Sequence, residues 1–276
     1  TTHQIDDYTF ETLQPFLMYN KNLNHRLSLD TKLLFQRNDD IGLFYAGGSD
    51  AIKFGLIDHS YMGDIGLRYN NDRFNISSGI AYDRRWHTSE NSHIYTFSGG
   101  SIVKGGDYYF NSSKSCVVKS AYFQLQNEFP ILQGLKSTLG ARYDKSINSI
   151  EPGNSFSKIS PRLGLVQKVT DCLNIKLLHG TAMRGLGLKE SVDNIMYADV
   201  YKGLPNGTST TFTAKPETIE TSEGSVVYYT KRFQTSITYF NSIMKNPIRA
   251  YNVITGFVVP YLNVAKEHKT SGVEFD

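Results

Sequence analysis

Arg84, Arg85 and Trp86 stand side by side, and the stretch from 84 to 118 adds Lys104 and Lys114 with Tyr95, Tyr108, Tyr109 and Phe110. Only Glu90 and Asp107 oppose those cations. A guanidinium binds carboxylate or catecholate oxygens through two parallel hydrogen bonds, and an aromatic face supplies contact area at small entropic cost. Cations interleaved with rings suit an anionic, ring-bearing ligand. The stretch from 242 to 270 repeats the combination: Lys245, Arg249, Lys266 and Lys269 face Glu267, with Tyr251, Phe257 and Tyr261 nearby. Arg184, Tyr197 and Tyr201 complete the candidate ligand set. From 36 to 60 the balance reverses, with Arg37 and Lys53 against Asp39, Asp40, Asp50 and Asp58.

Other chemistries lack their residues. No GxSxG, HExxH or supported carboxylate pair is present, so no catalytic residue is assigned and the chain is not read as an enzyme. Cys116 and Cys172 have neither CxxC spacing nor histidine partners at zinc spacing. Neither a metal site nor a cofactor is expected. The run from Gly99 to Gly106 lacks the Gly-Lys-Ser/Thr ending of a phosphate loop. Lys and Arg total 29 against 26 for Asp and Glu, which is no polybasic profile and predicts no nucleic-acid partner.

The elements that must position these residues are strands. Aromatics make up 13% of the chain, with 18 Tyr, 16 Phe and 23 Gly, a composition that favours strands and turns. Uninterrupted apolar runs such as Phe16 to Tyr19 fall far short of the ~18 residues of a spanning helix. Period two dominates instead: Leu27, Leu29, Thr31, Leu33 and Phe35 alternate with Arg26, Ser28, Asp30 and Lys32. The same alternation places strands near 10 to 18, 26 to 35, 61 to 69, 74 to 83, 118 to 129, 135 to 143, 159 to 168, 173 to 180, 218 to 228, 233 to 241 and 271 to 276. About eleven strands result.

Short and long connections between these strands alternate strictly. Short ones fall at Tyr19 to His25, Asn70 to Asp72, Pro130 to Gly134, Val169 to Cys172 and Tyr229 to Arg232. In an antiparallel meander every second connection lies at the same end, so short turns gather at one end and long loops at the other. That asymmetry, with one apolar face per strand, predicts an all-β, antiparallel transmembrane β-barrel with short periplasmic turns and long extracellular loops. Lipid offers no hydrogen bonds, so such a sheet must close. An odd strand count and an end inside an alternating strand predict a partial barrel. Tyr69, Phe74, Phe129, Tyr143, Tyr228 and Phe233 end the apolar faces near the turns, where rings suit a membrane interface.

Three segments then resemble the barrel of TonB-dependent outer-membrane receptors. They are Ser157 to Leu165 (SKISPRLGL), Gly180 to Glu190 (GTAMRGLGLKE), and Lys215 to Thr218 (KPET) with Glu223. Ser271 to Phe275 resembles a strand opening after a long loop in the same family. Met183, Gly185 and Leu186 depart from the family's usual Phe-Arg-Ala-Pro, while Arg184 is kept.

The resemblance implies a bacterial outer-membrane receptor that imports a ferric siderophore or similar iron chelate with energy from TonB. Haem or cobalamin is the alternative cargo, and a passive porin-like barrel the alternative mechanism. It also implies that residues 1–276 are part of one barrel domain, without the plug domain, the N-terminal region that contacts TonB, or the C-terminal strands. Outer-membrane lipid is the remaining partner. Glu223 and Glu274 match barrel glutamates that pair with plug arginines in the family, and Arg162 is added as a plug contact. Haem capture wants a loop histidine, and none lies between Arg184 and Lys215, so a siderophore is preferred. Cys116 and Cys172 fall at opposite strand ends, too far apart for a disulfide.

Overall fold

The computed structural model describes residues 5–46, 50–89, 93–98, 101–107, 115–129, 134–149, 152–188, 190–191, 194, 213–250 and 261–276. Its first strands are β1 (Ile5–Leu13), β2 (Phe16–Asn22), β3 (Leu27–Ala46), β4 (Asp50–Asn70) and β5 (Phe74–Ser89). Next come β6 (His93–Ser98), β7 (Ser101–Asp107), β8 (Ser115–Glu128), β9 (Leu135–Asn148), β10 (Phe156–Lys168) and β11 (Leu173–Arg184). β12 (Glu217–Tyr229), β13 (Gln234–Lys245), β14 (Ile248–Ala250), β15 (Tyr261–Asn263) and β16 (His268–Phe275) complete the series. One sheet runs β1-β3-β4-β5-β8-β9-β10-β11-β12-β13-β16, and each neighbouring pair is antiparallel.

The eleven expected strands are the eleven positions of this path. The first position is split, because β1 and β2 both pair with β3 around Gln14 and Pro15. Pro15 has no N–H for a ladder, yet its carbonyl still accepts from the Phe35 amide at 3.1 Å. The five short turns are confirmed as tight closures. Backbone bonds run from Leu23 to Leu27 (2.8 Å), Asn71 to Phe74 (2.9 Å), Phe129 to Leu135 (3.0 Å), Val169 to Leu173 (2.9 Å) and Thr230 to Phe233 (2.8 Å).

At the opposite end the strands outrun the sequence expectation. Pairing of β3 with β4 continues to Ala46 and Asp50, so most of the expected loop from 36 to 60 is ladder. The expected loop from 84 to 118 contains the end of β5, the β6–β7 hairpin and the start of β8. Beyond the apolar band both faces meet water, so hydropathy stops alternating while the backbone bonds continue. β14 and β15 form a separate ribbon inside the stretch 242 to 270.

One face of the sheet is apolar and uncovered. Ile80 is 61% exposed, Ile159 60%, Leu177 53% and Val273 53%, whereas the buried apolar residues described are Ile57, Leu186, Leu188, Ala214, Val227 and Ile248. A soluble two-layer β protein would bury that face. Contiguous apolar surface on this scale marks a membrane or interaction face.

Rings border the band at both ends. Tyr69 stacks on Phe74 and Tyr228 lies against Phe233, each at 5.8 Å between centroids, beside short turns. Far from the turns, Tyr61 lies 5.1 Å from Phe35 and 5.0 Å from Trp86. Tyr143 belongs to this far border and not to the turns, because β9 continues past it to Asn148.

Candidate functional site

The ladder decides where each candidate side chain points. On β5 the apolar face carries Ile76, Ile80 and Tyr82, so Arg84 and Trp86 share it, while Asp83 and Arg85 share the polar face. Contacts agree with this parity. The Arg84 guanidinium lies 5.3 Å from the Trp86 ring centre, and Trp86 packs on Tyr61 of the apolar face. Arg85 instead donates to Asp83 at 2.7 Å. The adjacent trio is therefore split, because a strand sends successive side chains to opposite sides.

Arg85 and Arg184 meet in one cavity. About 450 Å³ in volume, it is also lined by Asp83, Cys116, Arg142, Asp144, Phe156 and Met183. Its arginines are held by carboxylates. Arg142 donates to Asp144 at 2.8 Å and to the Ser120 hydroxyl at 2.8 Å, and Ser120 donates to Asp144 at 2.5 Å. Arg184 donates to Glu190 at 2.7 Å and approaches Glu217 at 3.6 Å. Each pair fixes a guanidinium fork while leaving other N–H groups to face the cavity.

Beneath this cavity the polar face is set by a close packing. Tyr122 reaches across β5 and donates to Asp64 at 3.1 Å. Its ring lies over Gly66 and Gly79, where an added Cβ would come within 2.7 Å and 2.5 Å of the hydroxyl oxygen. Glycine at those two positions is what lets the ring lie flat on the sheet.

Above the far ends of β9 to β13 a polar clasp adjoins a small apolar cluster of Leu186, Ala214 and Ile248, against which Tyr261 packs. Fully buried Asn194 donates to the Tyr261 carbonyl at 3.2 Å and accepts from its amide at 2.6 Å. Asn148 donates to Ser191 at 2.9 Å, and Asn154 accepts from the Ala214 amide at 2.8 Å. Glu190 accepts from the Gly187 amide at 2.6 Å, and Glu217 from the Ile248 amide at 2.9 Å. Arg184 thus ties the end of β11 to β12 and β14 through two carboxylates. Sequence reasoning singled out Arg184 and quoted Glu190 and Glu217 within the resembling segments but did not pair them with it, since no alternating pattern brings the three together.

Arg162 and Glu223 line a second polar-face cavity of about 440 Å³ with Gln124, Thr138, Gly180 and Thr221. Glu274 pairs in register with Thr238, which bonds to Ser225 on the same polar face. Arg249 is exposed on β14, away from the main sheet. Tyr108, Tyr109, Tyr197, Tyr201 and Tyr251 lie outside the described residues. Cys116 and Cys172 form no disulfide: the first lines the larger cavity and the second sits at a short turn.

Across residues 2–276 the sequence matches the family model described as TonB dependent receptor-like, beta-barrel. The chain belongs to this family. Its barrels are bacterial outer-membrane proteins. The apolar face of the sheet is therefore the lipid face, and the polar face lines the lumen.

Solved structures agree on the fold. A copper transporter, OprC, superposes with a TM-score of 0.70 at 14% identity, covering 99% of this chain and 44% of its own. The unliganded ferric citrate transporter FecA gives 0.64 at 12% identity, covering 97% and 39%. The FrpB iron transporter from Neisseria meningitidis (F5-1 variant) gives 0.67 at 16% identity, covering 96% and 41%. The chain thus spans about two-fifths of the length of these proteins. No curated protein sequence matches it significantly.

Proposed function

We propose that the chain is the barrel portion of a receptor that captures an iron chelate, of the ferric-siderophore class, and imports it with energy from TonB. The observation that carries this reading is the joint lining of one lumen cavity by Arg85, Arg142 and Arg184 in a barrel of this family. Ferric chelates commonly expose catecholate or carboxylate oxygens, and preset guanidinium forks match that geometry. Arg249 and the tyrosines 108, 109, 197, 201 and 251 are proposed to add contacts from the outer loops. Arg84 and Trp86 are not part of that site, because they face the lipid.

In this reading Arg162, Glu223 and Glu274 on the lumen wall contact a plug domain outside these 276 residues, and TonB engages a region beyond the barrel. The inward aim of Arg162 and Glu223 supports it. The test is growth and radiolabelled iron uptake on several iron chelates, with the full-length gene present or deleted, in cells with and without TonB. Uptake of at least one chelate should require both. Uptake that persists without TonB contradicts active transport and favours passive diffusion.

A further inference from the structure

Lys119 of β8 and Lys145 of β9 are direct cross-strand partners. Both side chains are exposed, and both are on the lipid face, since Lys119 also stands opposite Tyr82 and Lys145 opposite Ser157. Facing residues in a ladder have Cβ atoms about 4.5–5.5 Å apart, and like charges so placed destabilise the sheet. No described carboxylate forms an ion pair with either lysine. The acids beside the pair in the ladder, Asp83 opposite Val118 and Asp144 opposite Ser120, point into the lumen and are engaged by Arg85 and Arg142. The pair is thus a built repulsion that calls for an anion from outside the protein.

A third cation adjoins them. Arg84 follows Tyr82 on the same face, is seated against Trp86, and keeps a buried Nε with no hydrogen-bond partner. The level of the cluster is fixed by rings: Arg84 stands opposite Tyr61, Lys119 opposite Tyr82, and Tyr143 lies two residues below Lys145 on β9. Aromatic rings of this kind mark the boundary between hydrocarbon and headgroups. The cations therefore sit at headgroup depth, at the end of the barrel away from the short turns.

We propose that Arg84, Lys119 and Lys145 form a binding site for the phosphate group of an anionic membrane lipid in the leaflet on that side. Arginine supplies a fork for phosphate oxygens and the lysines supply point charges, while Tyr143 and Phe123, on the same face toward the short turns, offer the acyl chains an apolar wall. An occupied site converts the lysine repulsion into two attractions and so steadies the β8–β9 pairing.

The test uses the natural full-length receptor in detergent with phosphatidylglycerol or phosphatidylcholine, with bound lipid counted by native mass spectrometry. The wild type should retain phosphatidylglycerol preferentially. The Lys119→Gln/Lys145→Gln variant should weaken that retention by about tenfold, on the scale of basic side chains at an anionic bilayer surface. Lys119→Arg/Lys145→Arg should keep it, and Arg84→Gln should weaken it should the double variant fail to fold. Millimolar inorganic phosphate should not displace the lipid. Equal retention by wild type and the glutamine variants, or displacement by inorganic phosphate, overturns the proposal.

Discussion

Arg84 and Arg85 are consecutive in sequence and stand on opposite sides of the barrel wall. Arg84 rests on Trp86 against the lipid, whereas Arg85 is held by Asp83 at 2.7 Å inside the lumen. Only Arg85 is placed to meet a chelate. Arg85→Ala should weaken chelate binding by about tenfold, the scale of one charge-assisted hydrogen bond, while Arg84→Ala should leave it unchanged. Equilibrium titration of the purified full-length receptor with a ferric chelate measures both. A larger loss at Arg84 contradicts the assignment of faces.

Tyr122 depends on two glycines. Gly79→Val places a Cβ 2.5 Å from both the Ile65 carbonyl oxygen and the Tyr122 hydroxyl, so the ring must leave its seat on β4 and β5. Overpacking of this kind should cost about 1–3 kcal/mol in urea unfolding from lipid vesicles. Tyr122→Phe keeps the ring and loses only the bond to Asp64, and should cost about 1 kcal/mol. The order of the two variants is the check.

The clasp over β9 to β13 should come apart at Asn194. Asn194→Ala leaves the Tyr261 amide and carbonyl without their side-chain partner and should loosen the segment by about 1–3 kcal/mol. Limited proteolysis from the outside should then cut around residues 188 to 216 several-fold faster, on the scale of that lost bonding, with the barrel itself intact. Unchanged cleavage would show that the clasp does not hold the loop.

Cys172 reports which end faces the periplasm. It sits at a short turn, where its amide donates to the Thr170 hydroxyl oxygen at 3.2 Å. A membrane-impermeant maleimide should leave Cys172 unlabelled on intact cells and label it once the outer membrane is opened. Labelling of Cys172 on intact cells, read in a Cys116→Ser background, would invert the barrel.

Much of this fold was legible because lipid imposes a rule that a sequence must display. Ile76, Ile80 and Tyr82 against Asn75, Ser77 and Asp83 give β5 its position and its faces with no tertiary information. Where lipid ends, the rule ends. β3 and β4 continue from 36 to 46 and from 50 to 60 as a ladder, but their sequence stops alternating there and reads as loop. The site was only half legible for a related reason. Arg84, Arg85 and Trp86 were grouped by adjacency in an expected loop, and the strand then separated them. Arg184 could be singled out from its motif, but its partners Glu190 and Glu217 are brought to it by the return of the chain from β11 to β12. Tyr122 over Gly66 and Gly79 left no pattern, since it joins β8 to β4 across β5.

Nitroxide labels at Ile80→Cys and Ala81→Cys in the reconstituted full-length receptor test the division of faces most directly. These neighbours on β5 point to opposite sides of the wall. Electron paramagnetic resonance should find position 80 relaxed by oxygen dissolved in the bilayer, and position 81 screened from it and responsive to an aqueous nickel chelate. Equal responses at both positions, or a position 80 reached by neither reagent, would contradict a lipid-facing apolar side.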